Sequence, residues 1–97
     1  MPHFKVILSG RGIDLPFEGD SVVGFFTTRL VRAADMASAE SLAKELVLSE
    51  WCFGGTYAQA NRGSIPALSV EQSLPVGWLA GTLGRKPSGY TFYCQED

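Results

Sequence analysis

Four stretches of the chain have the pattern of apolar and polar positions that is typical of β-strands. Residues 3–9 alternate between apolar and polar side chains with the period of two expected for a strand. Residues 66–74 alternate in the same way, which predicts a half-buried strand with one polar side. Residues 22–33 and 90–94 are rich in β-branched or aromatic residues and are apolar on both parities, which predicts strands covered on both faces.

A single helix is predicted between the second and third of these strands. Asp35 is a suitable N-cap, and the helix is expected to extend from about Met36 to Glu50. Leu48 projects onto the polar side of this helix and Trp51 lies at the margin of the apolar side, so the far end is expected to expose apolar surface. The apolar side itself consists of residues at helical spacing: Met36, Ala39, Leu42, Ala43, Leu46 and Val47.

Glycine, proline and other turn-forming residues separate these elements. Residues 10–21 are predicted to form a loop, or a short irregular edge segment, that ends in a turn at Gly19 and Asp20. Residues 52–64 are predicted to form a surface loop. Residues 75–89 contain too many glycines for a stable helix and are also predicted to form a loop.

The order of the elements predicts one α+β domain that comprises residues 1–97. Strands joined by a crossover helix are expected to be parallel if they share a sheet, whereas the outer two strands can pair antiparallel with their neighbours. The sequence therefore predicts a mixed four-stranded sheet in β-β-α-β-β order with one main helix packed on one face. This layer architecture loosely resembles the ferredoxin-like folds, a likeness that does not assign a function.

One helix is too narrow to cover this sheet. Four strands make a sheet roughly 19 Å wide, whereas a helix is only about 10 Å across, and the second face has no helix. Phe25 and Phe26 are adjacent, as are Phe92 and Tyr93, so each strand must send an aromatic side chain to either face. We expect the far face to be covered by the loops at 10–21 and 75–89 or by a second copy of the chain.

Composition and charge exclude several classes of protein. The 97 residues are 45% apolar and 19% charged, which is ordinary for a globular domain. The net charge of −2 and the isoelectric point of about 5.3 provide no overall positive field, so a protein that binds duplex nucleic acid is not expected. No segment approaches the ~20 apolar residues that span a bilayer, and the N-terminus shows no signal peptide, so the expected location is cytoplasmic.

The motifs that carry chemistry are absent or incomplete. Residues 10–12 and 81–88 contain glycines of the kind found in phosphate-binding loops, but their spacing is wrong. His3 is the single histidine, and Cys52 and Cys94 are far apart, so neither a zinc site nor a nucleophile with its base is predicted. The two cysteines are expected to be buried thiols, although a disulfide between them stays possible. No metal, cofactor or catalytic residue is therefore assigned.

The arginines of the second strand are the most informative charged residues. Arg29 and Arg32 have opposite parity in an otherwise apolar strand, so at least one emerges on a covered face, where a guanidinium needs an anionic partner. A structural interpretation pairs it with Glu50 or Glu71. A functional interpretation makes it an anion contact together with other cationic residues of the chain: Arg11, Arg62 or Lys86.

The leading functional hypothesis is a non-enzymatic interaction module that self-associates as a homodimer, since closed two-fold symmetry is the commonest arrangement. The uncovered sheet or the far end of the helix is expected to form the interface, with the participating residues Leu48, Trp51, Phe25 and Phe92.

Three other functions stay open. The first is a small-molecule, peptide or anion-binding domain whose pocket is lined by Phe25, Phe26, Trp78 and Tyr93, with Arg29 as the polar anchor. The second is a small enzyme with a site at a dimer interface. The third is nucleic-acid binding, in which aromatic side chains on an open sheet act as stacking platforms; it ranks last because such platforms usually lie in a basic groove.

Overall fold

A computed structural model describes residues 2–77 and 89–94 of the chain. In this part of the chain, four strands form one sheet in the order β3-β1-β2-β4, and α1 lies on one face of it. Every neighbouring pair of strands is antiparallel. The elements are β1 (His3–Phe17), β2 (Asp20–Arg32), α1 (Met36–Trp51), β3 (Ala67–Val76) and β4 (Tyr90–Cys94).

The predicted α+β class with four strands and one helix is confirmed, but the prediction of a mixed sheet is wrong. β2 and β3, which α1 connects, do run in the same direction, because each is antiparallel to β1. They are not neighbours, however, since β1 lies between them. The crossover therefore passes over one strand, and no parallel pair of neighbours arises.

β1 and β2 form a long hairpin that replaces the loop predicted at residues 10–21. The register shifts between Arg11 and Leu15, which marks a bulge, and pairing then continues to Phe17. The two-residue turn consists of Glu18 and Gly19, whose φ angles of 51° and 85° are both positive, as in the type I′ turns that suit the twist of a hairpin. The bulge restarts the alternation of side chains, which is why residues 10–17 do not show one uninterrupted period of two.

The N-terminus of α1 is capped as predicted. The side chain of Asp35 accepts a hydrogen bond from the backbone N–H of Ser38 at 2.8 Å. This bond also lowers the pKa of the Asp35 carboxyl below its ordinary value. The cap satisfies one of the N–H groups that the first turn of a helix leaves unpaired.

The buried side of α1 is narrower than the predicted apolar side. Its buried residues repeat every four positions, and two of the four are alanines. Leu42 and Leu46, expected on the buried side, are 37% and 44% exposed instead. The buried residues of α1 are Ala39, Ala43, Val47 and Trp51.

Adjacent aromatic residues do point to opposite faces of the sheet. Phe25 is fully buried beneath α1, whereas Phe26 emerges on the other face. Phe92 contacts Phe25, and Tyr93 contacts Phe26, so these two neighbouring side chains of β4 also point to opposite faces. Among the described residues, the face opposite α1 is covered by no other element, and we call it the open face.

Two glycines give space to aromatic rings on opposite faces. A Cβ atom at Gly10 would overlap the ring of Phe25, which lies across β1 under the helix. A Cβ atom at Gly24 would overlap the ring and hydroxyl of Tyr93, which lies across β2 on the open face. In both cases the ring of a neighbouring strand fills the volume that a side chain would otherwise occupy, as in the aromatic rescue of strand glycines.

We expect Gly10→Ala to lower the free energy of unfolding by about 1–3 kcal/mol, because the added methyl group overpacks the core against Phe25. Gly77→Ala is the matched control, since a Cβ atom there has no neighbour within 4 Å. Urea denaturation of the two variants measures the difference. Equal stability of Gly10→Ala and Gly77→Ala would contradict the close packing described for Gly10.

Candidate functional site

A charged group lies on the helix-covered face of β2. Arg29 is 8% exposed, and its Nη2 donates to Glu50 Oε1 at 2.9 Å and more weakly to Oε2 at 3.4 Å. The prediction that Arg29 pairs with a carboxylate is thereby confirmed with Glu50. Glu71, the alternative partner, lies on the open face, where it accepts a hydrogen bond from Ser9.

Tyr90 of β4 completes this polar centre. Its hydroxyl donates to Glu50 Oε1 at 2.6 Å, and the Arg29 guanidinium lies over its ring at 5.3 Å from the centroid. Burial, followed by the hydrogen bond to Glu50, raises the pKa of Tyr90 well above its ordinary value. The Tyr90 hydroxyl therefore stays protonated at neutral pH and donates a hydrogen bond to the Glu50 carboxylate.

Five aromatic rings, one of which is that of Tyr90, pack against one another beside the ion pair, and we call them the aromatic cluster. Trp51 stacks between Phe25 and Tyr57, with centroid distances of 5.2 and 4.7 Å. Burial, with a smaller contribution from the Glu50 charge, raises the pKa of Tyr57. The cluster closes the C-terminal end of α1 over the sheet, and its members are Phe25, Trp51, Tyr57, Tyr90 and Phe92.

This cluster corrects most of the predicted interface. Trp51 is 3% exposed and Phe25 is fully buried, so neither offers surface to a partner. Leu48 is half-buried, and Phe92 is half-buried against the core. The helix end is covered because the chain after Trp51 turns back and places Tyr57 against the indole, a contact that helical projection does not show.

The residues of the predicted ligand pocket do not come together. Arg29 and Phe25 lie on the face under α1, whereas Phe26 and Tyr93 lie on the open face. Trp78 lies outside the described residues. The guanidinium of Arg29 is already engaged by Glu50 and by the ring of Tyr90, so an anion would have to displace the internal carboxylate to use it.

The predicted cationic group around Arg29 is also divided. Arg11 extends from the part of β1 that pairs with Gly24, on the open face. Arg62 is exposed in the loop after α1, and its backbone N–H donates to Asp14 O at 2.8 Å. Lys86 lies outside the described residues. Arg29 therefore has a structural partner rather than a place in a set of cations.

The loop after α1 encloses a depression that the sequence analysis did not predict. Asn61 fixes this loop to the bulge of β1, because its Oδ1 accepts from the backbone N–H of Asp14 at 2.9 Å and from that of Gly63 at 3.0 Å. The depression has a volume of about 640 Å³. No charged side chain lines this depression among the described residues, and its polar side chains are those of Cys52, Thr56, Gln59 and Asn61. The turn-forming residues at 61–63 were the feature of the sequence that could have indicated this folded loop.

The open face carries aromatic and cationic side chains together. Phe26 is 46% and Tyr93 40% exposed, and their ring centroids lie 5.8 Å apart. Over residues 3–11 of β1 and the residues paired with them, the charged side chains of this face are three cations and one carboxylate. They are Lys5, Arg11, Arg32 and Glu71.

One flank of α1 presents a second exposed apolar surface. Leu42 and Leu46 lie one turn apart on the outer part of the flank that also carries Glu50, towards β2 and β4. Beside them is an open depression of about 490 Å³ whose lining consists mainly of small residues. Its lining residues are Ala33, Ala34, Ala37, Ser38, Ser41, Leu42 and Glu45.

Comparisons with protein-family models, curated proteins and solved structures gave no match to this chain. In residues 2–77 and 89–94, no group of three or more histidine, cysteine, aspartate or glutamate side chains is arranged to hold a metal ion. α1, the helix of the described part, is too short and too polar to cross a membrane. The candidate surfaces therefore have to be interpreted from their own chemistry.

We expect Glu50→Gln to lower the free energy of unfolding by about 3 kcal/mol, because it leaves the buried Arg29 cation without its counter-charge. Glu45→Gln, which removes a carboxylate from the exposed side of α1, is the control and should change stability by less than about 0.5 kcal/mol. Arg29→Met combined with Glu50→Gln should cost less than the sum of the single changes. Equal effects of the two glutamate variants would contradict the buried pair.

Tyr90 is expected to make stability fall at high pH. Its pKa in the folded protein lies above the ordinary value of 10.0, so its contribution is complete below about pH 10 and is lost as the pH rises further. Tyr90→Phe should therefore lose less unfolding free energy than the wild type between about pH 8 and pH 11. Urea midpoints at the two pH values measure this loss, and an identical loss in both proteins would refute the assignment.

Proposed function

We propose that this protein is a non-enzymatic interaction domain that self-associates as a homodimer through the Leu42 and Leu46 flank of α1. The observation that carries the proposal is the exposure of these two leucines next to a depression lined by small residues. An apolar projection and a recess thus lie side by side on one helix. The exposed apolar surface of this helix thus lies on its middle turns, at Leu42 and Leu46, and not on its last turn, where Trp51 is buried.

The arrangement favours a second copy of the chain as the partner. In a two-fold interface each surface meets itself, so Leu46 of one copy would enter the recess beside Ala37 and Ser41 of the other, and the reverse. Ridges formed by residues four apart pack into each other when two helices cross. Because the surface is self-complementary in this way, it needs no different partner to be covered.

The open face is less suitable for self-association. Each open face carries three cations, Lys5, Arg11 and Arg32, and one carboxylate, Glu71. Stacking two such faces would place two positively charged surfaces against each other. Like charges placed together across an interface oppose binding. The flank of α1 carries less charge, since Glu45 is the single charged residue that lines its recess, so a two-fold contact would bring together one carboxylate from each copy instead of three cations.

The other parts of the proposal follow from the same structure. The layer arrangement of ferredoxin-like folds serves many functions and assigns none to this chain. Cys52 and Cys94 have free thiols, which supports placing the protein in a reducing compartment such as the cytoplasm. A pocket anchored by Arg29 is not favoured, because Glu50 already occupies its guanidinium.

The solution mass tests the proposal directly. Multi-angle light scattering over a dilution series should give twice the 10.5 kDa chain mass for the wild type at high concentration. Leu46→Glu should give the monomer mass, because it places a carboxylate in the apolar contact. Ile65→Ser removes exposed apolar surface elsewhere and should leave the dimer unchanged. A monomer at all concentrations, or equal behaviour of the two variants, would overturn the proposal.

A further inference from the structure

We infer that the open face of the sheet binds single-stranded nucleic acid, with Phe26 and Tyr93 as the platform for bases and Lys5, Arg11 and Arg32 as contacts to phosphates. This surface is distinct from the flank of α1, so the inference does not depend on self-association. The sequence alone argued against it, since the net charge of the chain is −2. The distribution of charge over the fold changes that assessment.

The open face is positive although the chain is negative. Lys5, Arg11 and Arg32 are all exposed there, and Glu71 is the one carboxylate opposed to them over the same rows of the sheet. The acidic residues of the hairpin turn, Glu18 and Asp20, lie beyond the bulge of β1. A strand of phosphates laid across the face therefore meets an excess of two positive charges, which is the sign that a polyanion requires.

The two aromatic side chains are placed to accept bases. The ring of Tyr93 lies across Gly24, so one side of it packs against the backbone of β2 and the other side is available to solvent. Phe26, on the same strand as Gly24, contacts Tyr93 with an interplanar angle of 40°. Both rings are held by the sheet before a ligand arrives, and base stacking on such rings tolerates every base.

A cation is adjacent to the platform. Arg11 pairs with Gly24 in the β1–β2 ladder, and Gly24 pairs with Tyr93 on its other side. Because Tyr93 extends across Gly24 towards β1, its hydroxyl approaches the strand that carries Arg11. Tyr93 can thus stack on the base of a nucleotide while Arg11, in the same row of the sheet, contacts a phosphate of that nucleotide.

Single strands fit this face better than a duplex does. The bases of a duplex are stacked on one another and cannot lie on protein rings, whereas those of a single strand can be splayed onto them. The rows of the sheet between Arg11 and Lys5 also carry neutral hydroxyl and amide groups that can bond base edges. These groups belong to Thr28, Thr91, Ser69 and Gln72.

Fluorescence anisotropy with labelled ten-nucleotide oligothymidine and oligouridine tests the inference, with a duplex of the same length as comparison. We expect measurable binding of the single strands at low salt and weaker binding of the duplex. The logarithm of the binding constant should fall with the logarithm of the salt concentration with a slope of about −2 for three phosphate contacts. No binding of either single strand at about 100 μM protein would overturn the inference.

Matched variants separate the platform from charge alone. Phe26→Ala should weaken single-strand binding at least about fivefold, whereas Phe53→Ala, which removes a fully exposed aromatic residue elsewhere, should not. Arg11→Ala should weaken binding and make the salt slope shallower by about 0.7, unlike Lys44→Ala on α1. Circular dichroism confirms that each variant is folded.

The variants also separate this inference from the proposed homodimer. Leu46→Glu should retain single-strand binding per chain even when it gives a monomer, and Phe26→Ala should retain the dimer while losing the nucleic acid. Binding that responds to Arg11→Ala but equals wild type in Phe26→Ala would mean attraction to any polyanion, and would overturn the platform. A duplex bound as tightly as a single strand would overturn it as well.

Discussion

The docking of the last turn of α1 on β2 is the contact on which the rest of the structure depends. Trp51 stacks on Phe25, and the neighbouring Glu50 binds Arg29 and accepts the hydroxyl of Tyr90. One carboxylate and one indole thus join the helix to two strands that are remote along the chain. This contact determines which face of the sheet the helix covers, and therefore which face stays accessible.

Much of the local structure could be predicted because it follows from short-range chemistry. The cap at Asp35 and the start of α1 depend on residues within one turn, and the division of Phe25 from Phe26 depends only on parity. β1 was predicted to end at Ser9 because Gly10 and the residues after it have the composition of a loop. A bulge restores pairing beyond that point, and a bulge cannot be recognised from a period of two.

The candidate surfaces were harder to predict because they depend on tertiary contacts. A buried Arg29 requires a carboxylate partner, so the sequence alone could limit the candidates to Glu50 and Glu71. Trp51 was expected at the margin of the helix, but its burial depends on Tyr57, which returns over it only once the loop is folded. The concentration of cations on one face also depends on the order of the strands, since Lys5 and Arg32 come from different strands.

The shortness of β4 has a consequence for how the domain opens. In the part of the chain that the structure describes, β4 has five residues and pairs on one side with the first half of β2, whereas β1 pairs with neighbours on both of its sides. An edge strand held by so few backbone bonds belongs to the part of a protein that unfolds locally at low cost. Its release would take Tyr90 away from Glu50 and bring water to the Arg29 ion pair, while the β1–β2 hairpin and its two-residue turn stayed closed. Amide hydrogens of β4 thus belong to a less protected cooperative unit than those of β1.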